Sequence, residues 1–298
     1  MIRILGTIFA GLLGLAFGSF LNVCLSRWPQ GESIVQPRSH CRNCSHVLPW
    51  WENVPLFSWL ALRGRCRICS AWIGWRYPLV ELAVGILWAV YVYRFLSEPW
   101  GTDSTATDFS LGLVFLCARL IFCWLLLALA VLDAENLWLP DWITLPGTAL
   151  GFMIRIVTIV SIAIGPGTDA FENVRYGAFG AVLQRLFAIL AAAALILLIR
   201  WVYRLIRRRE GIGLGDAKLM ALLAAWLGLP GALLAFGLGV VLGAAVAVVL
   251  LATSPKSADE SAWALKKLPL GTFLCLGGIV SGLWGEEIIA AYLRWSGL

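Results

Sequence analysis

Long apolar segments separated by short polar loops run through almost the whole sequence and constrain its fold more than any other feature. They lie at about residues 3–25, 78–96, 109–132, 142–164, 177–203, 214–228, 231–252 and 269–293. About 20 apolar residues let a helix cross the hydrocarbon core of a bilayer, and a helix satisfies its own backbone hydrogen bonds there. We therefore predict an all-α polytopic membrane protein with about eight transmembrane helices. The sixth segment is short and stops near Pro230, which leaves a partly re-entrant helix as an alternative for it.

The composition agrees with a membrane location. The 298 residues are 60% hydrophobic and only 13% charged, whereas about a quarter of the residues in soluble domains are charged. The net charge of +6 does not indicate nucleic-acid binding, because the basic residues cluster in a few loops. The first apolar segment is long for the core of a signal peptide, and no clear cleavage motif follows it. We predict a retained first helix, with a cleaved signal peptide as the alternative.

The charges of the loops predict the orientation in the bilayer. The loops rich in lysine and arginine are those at 26–77, 204–218 and 253–268. By contrast, loop 97–108 has no basic residue, and loop 165–176 contains only Arg175. Basic loops are cytoplasmic under the positive-inside rule. Both termini are then predicted on the opposite face, and the loop DAENLWLPD between the third and fourth helices on the cytoplasmic face.

One polar insertion interrupts the apolar pattern. We divide the chain into a first transmembrane helix at 1–29, a cytoplasmic insertion at 30–77 and a transmembrane domain at 78–298. The insertion is too small for a normal hydrophobic core, so it needs a metal or covalent cross-link to fold.

The cysteines of the insertion can supply that cross-link. Cys41, Cys44, Cys66 and Cys69 form two C-x2-C pairs and offer four thiolates, which suit a tetrahedral structural zinc ion. A cytoplasmic loop is reducing, so structural disulfides are disfavoured; a redox dithiol pair and unliganded thiols are the alternatives. Two histidines adjoin the first pair, and we expect both to stay outside a site that four cysteines already close: His40 and His46. The remaining cysteines lie in apolar segments and are expected to be small buried residues: Cys24, Cys117, Cys123 and Cys275.

Three aspartates stand at the predicted cytoplasmic ends of apolar segments. Asp133 ends the third segment, Asp141 starts the fourth, and Asp216 follows Gly213 and Gly215 at the start of the sixth. Such ionisable groups are functional candidates, although each aspartate could simply cap or close a helix. Two facing carboxylates in a partly dry site share a proton, so one can activate water while the other protonates a carbonyl group. The glycines would let a substrate backbone approach closely, but spacing alone does not show that the first and last aspartates meet.

Other polar residues near helix ends are candidates for supporting roles. Asn22 can bond across helices at the end of the first segment, with plain packing as the alternative. Glu81 can face the site or pair with Arg76. Lys218 follows the G-x-G-D aspartate, and we expect it to reach the lipid headgroups rather than the carboxylates. Arg155 is unusual in the middle of the fourth segment; it could extend to the bilayer surface or pair with Glu286 or Glu287, or the bounds of the segment could be misplaced.

Four ordered stretches of the sequence resemble the bacterial type IV prepilin peptidases. They are GSFLNVCLSRWP at 18–29, the four-cysteine segment with RGRC and RYPLVEL at 38–82, LDAENLWLPDWITLP at 132–146 and GLGDAKLMALLAAWLG at 213–228. The resemblance implies a G-x-G-D aspartic peptidase that cuts the basic leader of prepilins or pseudopilins at the cytoplasmic face of the bacterial inner membrane. It also implies methylation of the new N-terminus with S-adenosylmethionine, in the service of type IV pili or type II secretion.

The resemblance assigns roles residue by residue. Asp133 and Asp216 correspond to the catalytic pair, Asp141 to a supporting position, and the cysteine tetrad to the zinc site of the methylating members. The sequence contains no glycine-rich nucleotide fingerprint, so S-adenosylmethionine rests on the resemblance alone and its site is not predicted. A function of another class is the alternative: a cation transporter whose membrane-face aspartates bind the ion, with the cysteine loop as a metal sensor.

Overall fold

The protein is helical throughout its regular structure in the computed structural model, which describes residues 1–98, 106–163, 171–208, 213–253 and 268–297. The helices are α1 (Ile2–Arg27), α2 (Phe57–Ala61), α3 (Arg76–Ser97), α4 (Ala106–Asn136), α5 (Asp141–Ala163), α6 (Phe171–Arg207), α7 (Leu214–Thr253) and α8 (Leu270–Ser296). Among the described residues, seven helices are long and apolar enough to cross a membrane, all of these except the short α2. The predicted all-α polytopic fold is thus confirmed.

The chain forms two compact units, Met1–Ala128 and Leu129–Leu298. The first unit contains α1, the polar insertion, α3 and most of α4. The second contains the end of α4 and the helices α5 to α8. The three-part division at 1–29, 30–77 and 78–298 stays a prediction.

In the first unit, α1 and α3 pack closely because glycines line their contact. A Cβ atom at Gly14 would lie 2.9 Å from the Cα of Gly85, and one at Gly18 would lie 2.6 Å from the Cα of Glu81. Small residues four positions apart let helix backbones approach in this way. The antiparallel contact sets the end of α1, where the insertion begins, beside the start of α3, where the insertion ends.

In the second unit, α7 contains two of the predicted spans and is sharply broken between them. Gly228 has φ 77° and ψ 175° inside the helix, a conformation that is essentially restricted to glycine. Pro230 follows and has no N–H group for the carbonyl of Trp226. The sequence Gly-Leu-Pro therefore ends one helical half and starts another.

The first half of α7 runs in the same direction as α8. Near its start, Gly215 packs against Leu139, and the same leucine lies against Gly271 at the start of α8. Just after the break, the carbonyl of Gly231 accepts a hydrogen bond of 2.8 Å from the hydroxyl of Ser281. Between these two contacts, α7 advances along α8 from its start to its middle.

The second half of α7 then runs back. A Cβ atom at Gly243 would lie 3.2 Å from the ring of Phe273, which is again at the start of α8. The first half, 214–227, is about 21 Å long at the rise of an α-helix, which is shorter than a full crossing. The contacts therefore favour the re-entrant alternative for the sixth apolar segment, paired with a longer returning helix.

An arginine from α6 lies at the break in α7. The guanidinium of Arg185 donates a hydrogen bond of 3.2 Å to the carbonyl of Ala224, and a Cβ at Gly228 would lie 3.1 Å from the Nη1 of Arg185. The last carbonyls of a helix lack intrahelical donors, so the arginine caps the first half of α7. The charge of Arg155 acts on Arg185, which places the unusual arginine of the fourth segment near the same break.

Candidate active site and metal site

Asp133 lies in the last turn of α4 and is only 5% exposed. Its Oδ2 accepts a hydrogen bond of 2.7 Å from the backbone N–H of Thr272. The hydroxyl of Thr272 lies 3.2 Å from the same oxygen and 2.9 Å from the carbonyl of Ala130. Thr272 belongs to the first turn of α8, so the carboxylate of Asp133 occupies the anion-binding end of that helix.

Asp216 lies in the first turn of α7 and is 8% exposed. Its Oδ2 accepts a hydrogen bond of 3.1 Å from the backbone N–H of Gly213. The capping role that the sequence allowed for this aspartate is therefore real, but it does not exclude chemistry. The neighbouring Gly213 and Leu214 are exposed, so the carboxylate lies just beneath an open surface.

The structure brings the two aspartates together around Leu139. The side chain of this leucine lies 3.1 Å from the Cβ position of Gly215, next to Asp216, and 3.0 Å from that of Gly271. The same Cβ position at Gly271 is 2.9 Å from the Cγ of Asp133, and the two carboxylates are close enough for their charges to interact. Both aspartates thus lie around one leucine, although 83 residues separate them in the sequence (216 − 133).

Asp141 and Lys218 form an ion pair at the edge of this site. The Nζ of Lys218 lies 2.6 Å from the Oδ1 of Asp141, whose side chain is 59% exposed. The expectation that Lys218 reaches the lipid headgroups is therefore wrong, because a nearer partner stands at the start of α5. The pair joins the first turns of α5 and α7.

Sequence reasoning missed the contribution of α8. Gly271 and Thr272 surround the carboxylate of Asp133, and the buried Cys275 lies one turn further on, where both catalytic candidates act on it electrostatically. The only signal was the run Pro269-Leu-Gly-Thr before an apolar segment, which is a typical helix start. Such a signal marks a helix end but does not tell which carboxylate it meets.

The four cysteines of the insertion come together as two equivalent turns. In the first turn the N–H of Ser45 donates to the carbonyl of Cys41, and in the second the N–H of Ser70 donates to Cys66, both at 2.9 Å. Ser45 and Ser70 both have positive φ, 57° and 56°, which closes each turn tightly. The two C-x2-C motifs thus form matching knuckles.

The sulfur positions fit a tetrahedral metal ion. All four Sγ atoms lie within 4.8 Å of one another, with 3.7 Å between Cys41 and Cys69 and 3.9 Å between Cys44 and Cys66. A tetrahedron with Zn–S bonds of about 2.3 Å has edges of ~3.8 Å. The Nε2 of His46 lies instead 3.9 Å from a carboxylate oxygen of Glu52, in agreement with a histidine outside the cluster.

The thiols of the cluster differ in acidity. A side-chain hydrogen bond from Asn43 and the backbone N–H of Ala71 lower the pKa of Cys69 to about 6. The backbone N–H of His46 also lowers the pKa of Cys44, but desolvation and the neighbouring cysteines outweigh it and raise this pKa to about 12. One thiolate forms readily and further thiolates oppose each other, so a divalent cation is the natural counter-charge. Of the other cysteines, Cys117 is exposed rather than buried as expected.

Asn22 and Glu81 lie in the first unit, on the wall of a cavity under the insertion. The side-chain amide of Asn22 donates a hydrogen bond of 2.9 Å to the carbonyl of Tyr77. Glu81 is buried and accepts a hydrogen bond of 2.8 Å from the N–H of Leu56. The cavity was not expected from the sequence.

Two family models match the chain. Residues 12–95 match the bacterial peptidase A24 N-terminal domain, and residues 120–248 match the type IV leader peptidase family. The prepilin leader peptidase/N-methyltransferase of Stutzerimonas stutzeri is 32% identical, over 96% of this chain and 93% of its own length. The proteins of that name from Pseudomonas aeruginosa and Burkholderia pseudomallei are 31% and 35% identical, over 96% and 93% of this chain and 93% and 85% of their own lengths. No solved structure matches the chain.

The helical membrane fold and the matched families define the class of protein: it is an aspartic peptidase with N-methyltransferase activity. The chain belongs to the type IV leader peptidase family. The resemblance seen in four stretches of the sequence is thereby confirmed.

Proposed function

We propose that this enzyme cuts the basic leader of prepilins or pseudopilins with Asp133 and Asp216 and then methylates the new N-terminus with S-adenosylmethionine. The catalytic assignment rests on the position of the two carboxylates on either side of Leu139. Both are buried, and each accepts a backbone hydrogen bond at the start of a helix. Relatives named prepilin leader peptidase/N-methyltransferase align with nearly the whole chain, which supports the substrate class. These names favour the peptidase over the cation transporter.

The cleavage needs one carboxylate and one carboxylic acid. The carboxylate takes a proton from water while the carboxylic acid donates one to the carbonyl oxygen of the scissile bond. The water oxygen bonds to the carbonyl carbon and a diol forms. When the carbon–nitrogen bond breaks, the leaving amine takes the proton that the former base now holds, and one hydroxyl of the diol returns a proton to the former acid. Two carboxylates held close together share one proton at rest, so the pair is already divided into a base and an acid. The N–H groups of Gly213 and Thr272 fix the orientation of the two side chains.

We assign supporting roles to the groups around the pair. Gly213 and Gly215 keep the surface beside Asp216 free of side chains, where a peptide backbone can approach. The ion pair of Asp141 with Lys218 holds the first turns of α5 and α7 in register. The basic loops at 26–77 and 204–218 support a cytoplasmic position for the insertion and for the start of α7.

We further propose that Cys41, Cys44, Cys66 and Cys69 hold one structural zinc ion, because their sulfur spacing fits a tetrahedral site. Four thiolates leave no open position, so the ion stabilises the insertion and takes no part in cleavage. S-adenosylmethionine would supply an electrophilic methyl group for the new N-terminal amine, with the neutral thioether as its leaving group.

Incubation of the purified chain with a synthetic prepilin, with and without S-adenosylmethionine, tests the proposal by mass spectrometry. The wild type is expected to release the leader in both cases and to add a methyl group only with the cofactor. Asp133→Asn and Asp216→Asn should each slow cleavage by about 10²–10⁴-fold, while Asp141→Asn, which breaks only an exposed ion pair, should slow it little. A wild-type rate in either of the first two variants would show that the catalytic pair is wrong.

A further inference from the structure

The first unit contains a cavity that neither the cleavage chemistry nor the metal site uses. It measures about 300 Å³ and lies between the insertion and the facing ends of α1 and α3. Its floor includes Asn22 and Glu81, and its walls include Glu52, Trp59 and Trp72 from the insertion. The volume falls within the range of small-molecule sites, and the mixed polar lining is unlike a packing void.

Two buried acceptors in the lining have no hydrogen-bond partner among the described residues. They are the Oδ1 of Asn22 and the Oε2 of Glu52, the latter 3.9 Å from the Nε2 of His46 and thus beyond hydrogen-bond distance. The orientation of the Asn22 amide is set by its donation to the carbonyl of Tyr77, so the oxygen is the atom that lacks a partner. An unsatisfied buried acceptor is costly. Both atoms call for donors or a positive charge from whatever fills the cavity.

Two buried carboxylates, Glu52 and Glu81, line the cavity together with three arginines, Arg27, Arg42 and Arg67. The side chain of Glu52 is 4% exposed and has Arg67 3.5 Å from its other oxygen. Glu81 accepts a single backbone hydrogen bond of 2.8 Å from Leu56 and is also bonded to Ser19. A carboxylate offers about four acceptor positions, so both groups keep capacity for a ligand.

The aromatic wall adds flat apolar surface. Trp59 and Trp72 both line the cavity, and their ring centroids are 6.0 Å apart. Trp75 packs 4.5 Å from Trp59 and 6.0 Å from Trp72, and the indole N–H of Trp59 donates to the carbonyl of Ile73. The indoles are thus held in place, and their faces suit a purine ring or a cation.

We propose that this cavity binds S-adenosylmethionine, an inference that rests on the methyltransferase activity proposed above. The molecule carries groups that complement this mixed lining: a sulfonium and an ammonium cation for the carboxylates, its own carboxylate for the arginines, hydroxyl and amine donors for the two acceptors, and a purine for the indoles. Glu52 and Asn22 are the binding residues with unmet acceptors, and Glu81 is a further anionic contact in the floor. The metal cluster, whose Cys41 and Cys66 also line the cavity, holds the wall in shape.

Two measurements on the zinc-loaded full-length protein in detergent test the site without relying on turnover. Calorimetry gives the Kd for S-adenosylmethionine, and ultraviolet cross-linking of the radiolabelled compound followed by peptide mapping gives its location. Glu52→Gln should weaken binding about tenfold or more, because a charged hydrogen bond is lost. Trp72→Leu, at a half-exposed position that tolerates change, should also weaken it. The label is expected on the peptide with Trp59 or Trp72.

Glu98→Gln is the matched control, since Glu98 is an exposed carboxylate at the far end of α3. This variant should bind S-adenosylmethionine with the wild-type Kd and cleave the leader at the wild-type rate. Zinc content confirms that each variant keeps its insertion folded. Wild-type affinity in both Glu52→Gln and Trp72→Leu, with the label elsewhere, would overturn the location while leaving methylation intact. A wild type that cleaves leaders but neither binds the cofactor nor methylates would overturn the location together with the methyltransferase half of the proposed function.

Discussion

In the first unit the metal site comes from residues 41–69, whereas in the second unit the aspartate site comes from helix ends far apart along the chain. The four cysteines belong to two short turns of the same kind. The aspartate site needs the end of α4, the start of α7 and the start of α8, and Asp133 and Thr272 are 139 positions apart. The first site can form locally, while the second exists only when the helices are packed.

This difference separates what each site depends on. The cysteine cluster would depend on its four ligands and on the proposed zinc ion, because an insertion of this size is too small for a large hydrophobic core. The aspartate site depends on close approach between helices, because a missing side chain at Gly271 makes room for the carboxylate. A change of ligand should therefore damage the first site, and a change of packing the second.

Loss of one cysteine should have the largest structural effect. Cys66→Ser removes a ligand, and zinc binding contributes on the order of 10 kcal/mol to the folding of small zinc modules. We expect the zinc content to fall from one ion per chain to almost none and the insertion to become sensitive to protease. Cys117→Ser changes an exposed thiol outside the cluster and should alter neither property. A zinc-free Cys66→Ser protein with wild-type protease resistance would contradict the local, ligand-dependent folding of the insertion.

A single added methyl group at Gly271 should strongly impair cleavage. The Cβ of Gly271→Ala would lie 2.9 Å from the Cγ and Oδ2 of Asp133, so the carboxylate must move. A displacement of about 1 Å in a catalytic group can cost ~10²-fold in rate. Gly237→Ala serves as the control, because nothing lies within 4 Å of its Cβ position. Both variants should keep their zinc; equal cleavage rates in the two would show that the close approach at α8 does not position the site.

Removal of the cap at the break in α7 should reduce stability by a moderate amount. Arg185→Met takes away the donor to the carbonyl of Ala224, and an unsatisfied acceptor costs about 1–3 kcal/mol. We expect a lower midpoint of thermal unfolding in detergent. Arg294→Met, at an exposed position in the last turn of α8, should leave the midpoint nearly unchanged. Indistinguishable midpoints would mean that the break is stable without its arginine.

The exposed ion pair should matter least. Lys218→Met leaves Asp141 without its partner at 2.6 Å, but pairs that face solvent contribute only about 0–1 kcal/mol. Cleavage should therefore fall less than about fivefold, far less than in Asp216→Asn. A loss as large as that of Asp216→Asn would place Lys218 in the chemistry rather than beside it.

The same contrast between local and distant contacts explains which parts of the fold and of the two sites could be predicted from the sequence. Apolar segment lengths predicted the helices, and the C-x2-C spacing predicted the cluster, because both patterns are local. The aspartates were predicted to share a face, but their meeting around Leu139 depends on packing that no spacing encodes. The partners Thr272 for Asp133 and Asp141 for Lys218 were missed for the same reason, since helix starts look alike until they are packed.

The cavity of the first unit was missed for a related reason. Asn22 and Glu81 were singled out by their polarity near helix ends, but the sequence offered only the aspartate site as a place for them. Their cavity arises where the insertion folds back over α1 and α3. A polar residue at a helix end indicates that a functional site is near, but it does not indicate which site.

The break at Gly228 makes the first half of α7 a lever. Asp216 lies near the start of this half, and Arg185 and Ser281 hold the other end where the chain turns back. Over a length of about 20 Å, a tilt of ~3° at this pivot moves the tip by ~1 Å, a distance that can change a catalytic rate ~10²-fold. A change in the contacts at this break, far from the carboxylates, is therefore expected to displace the aspartate.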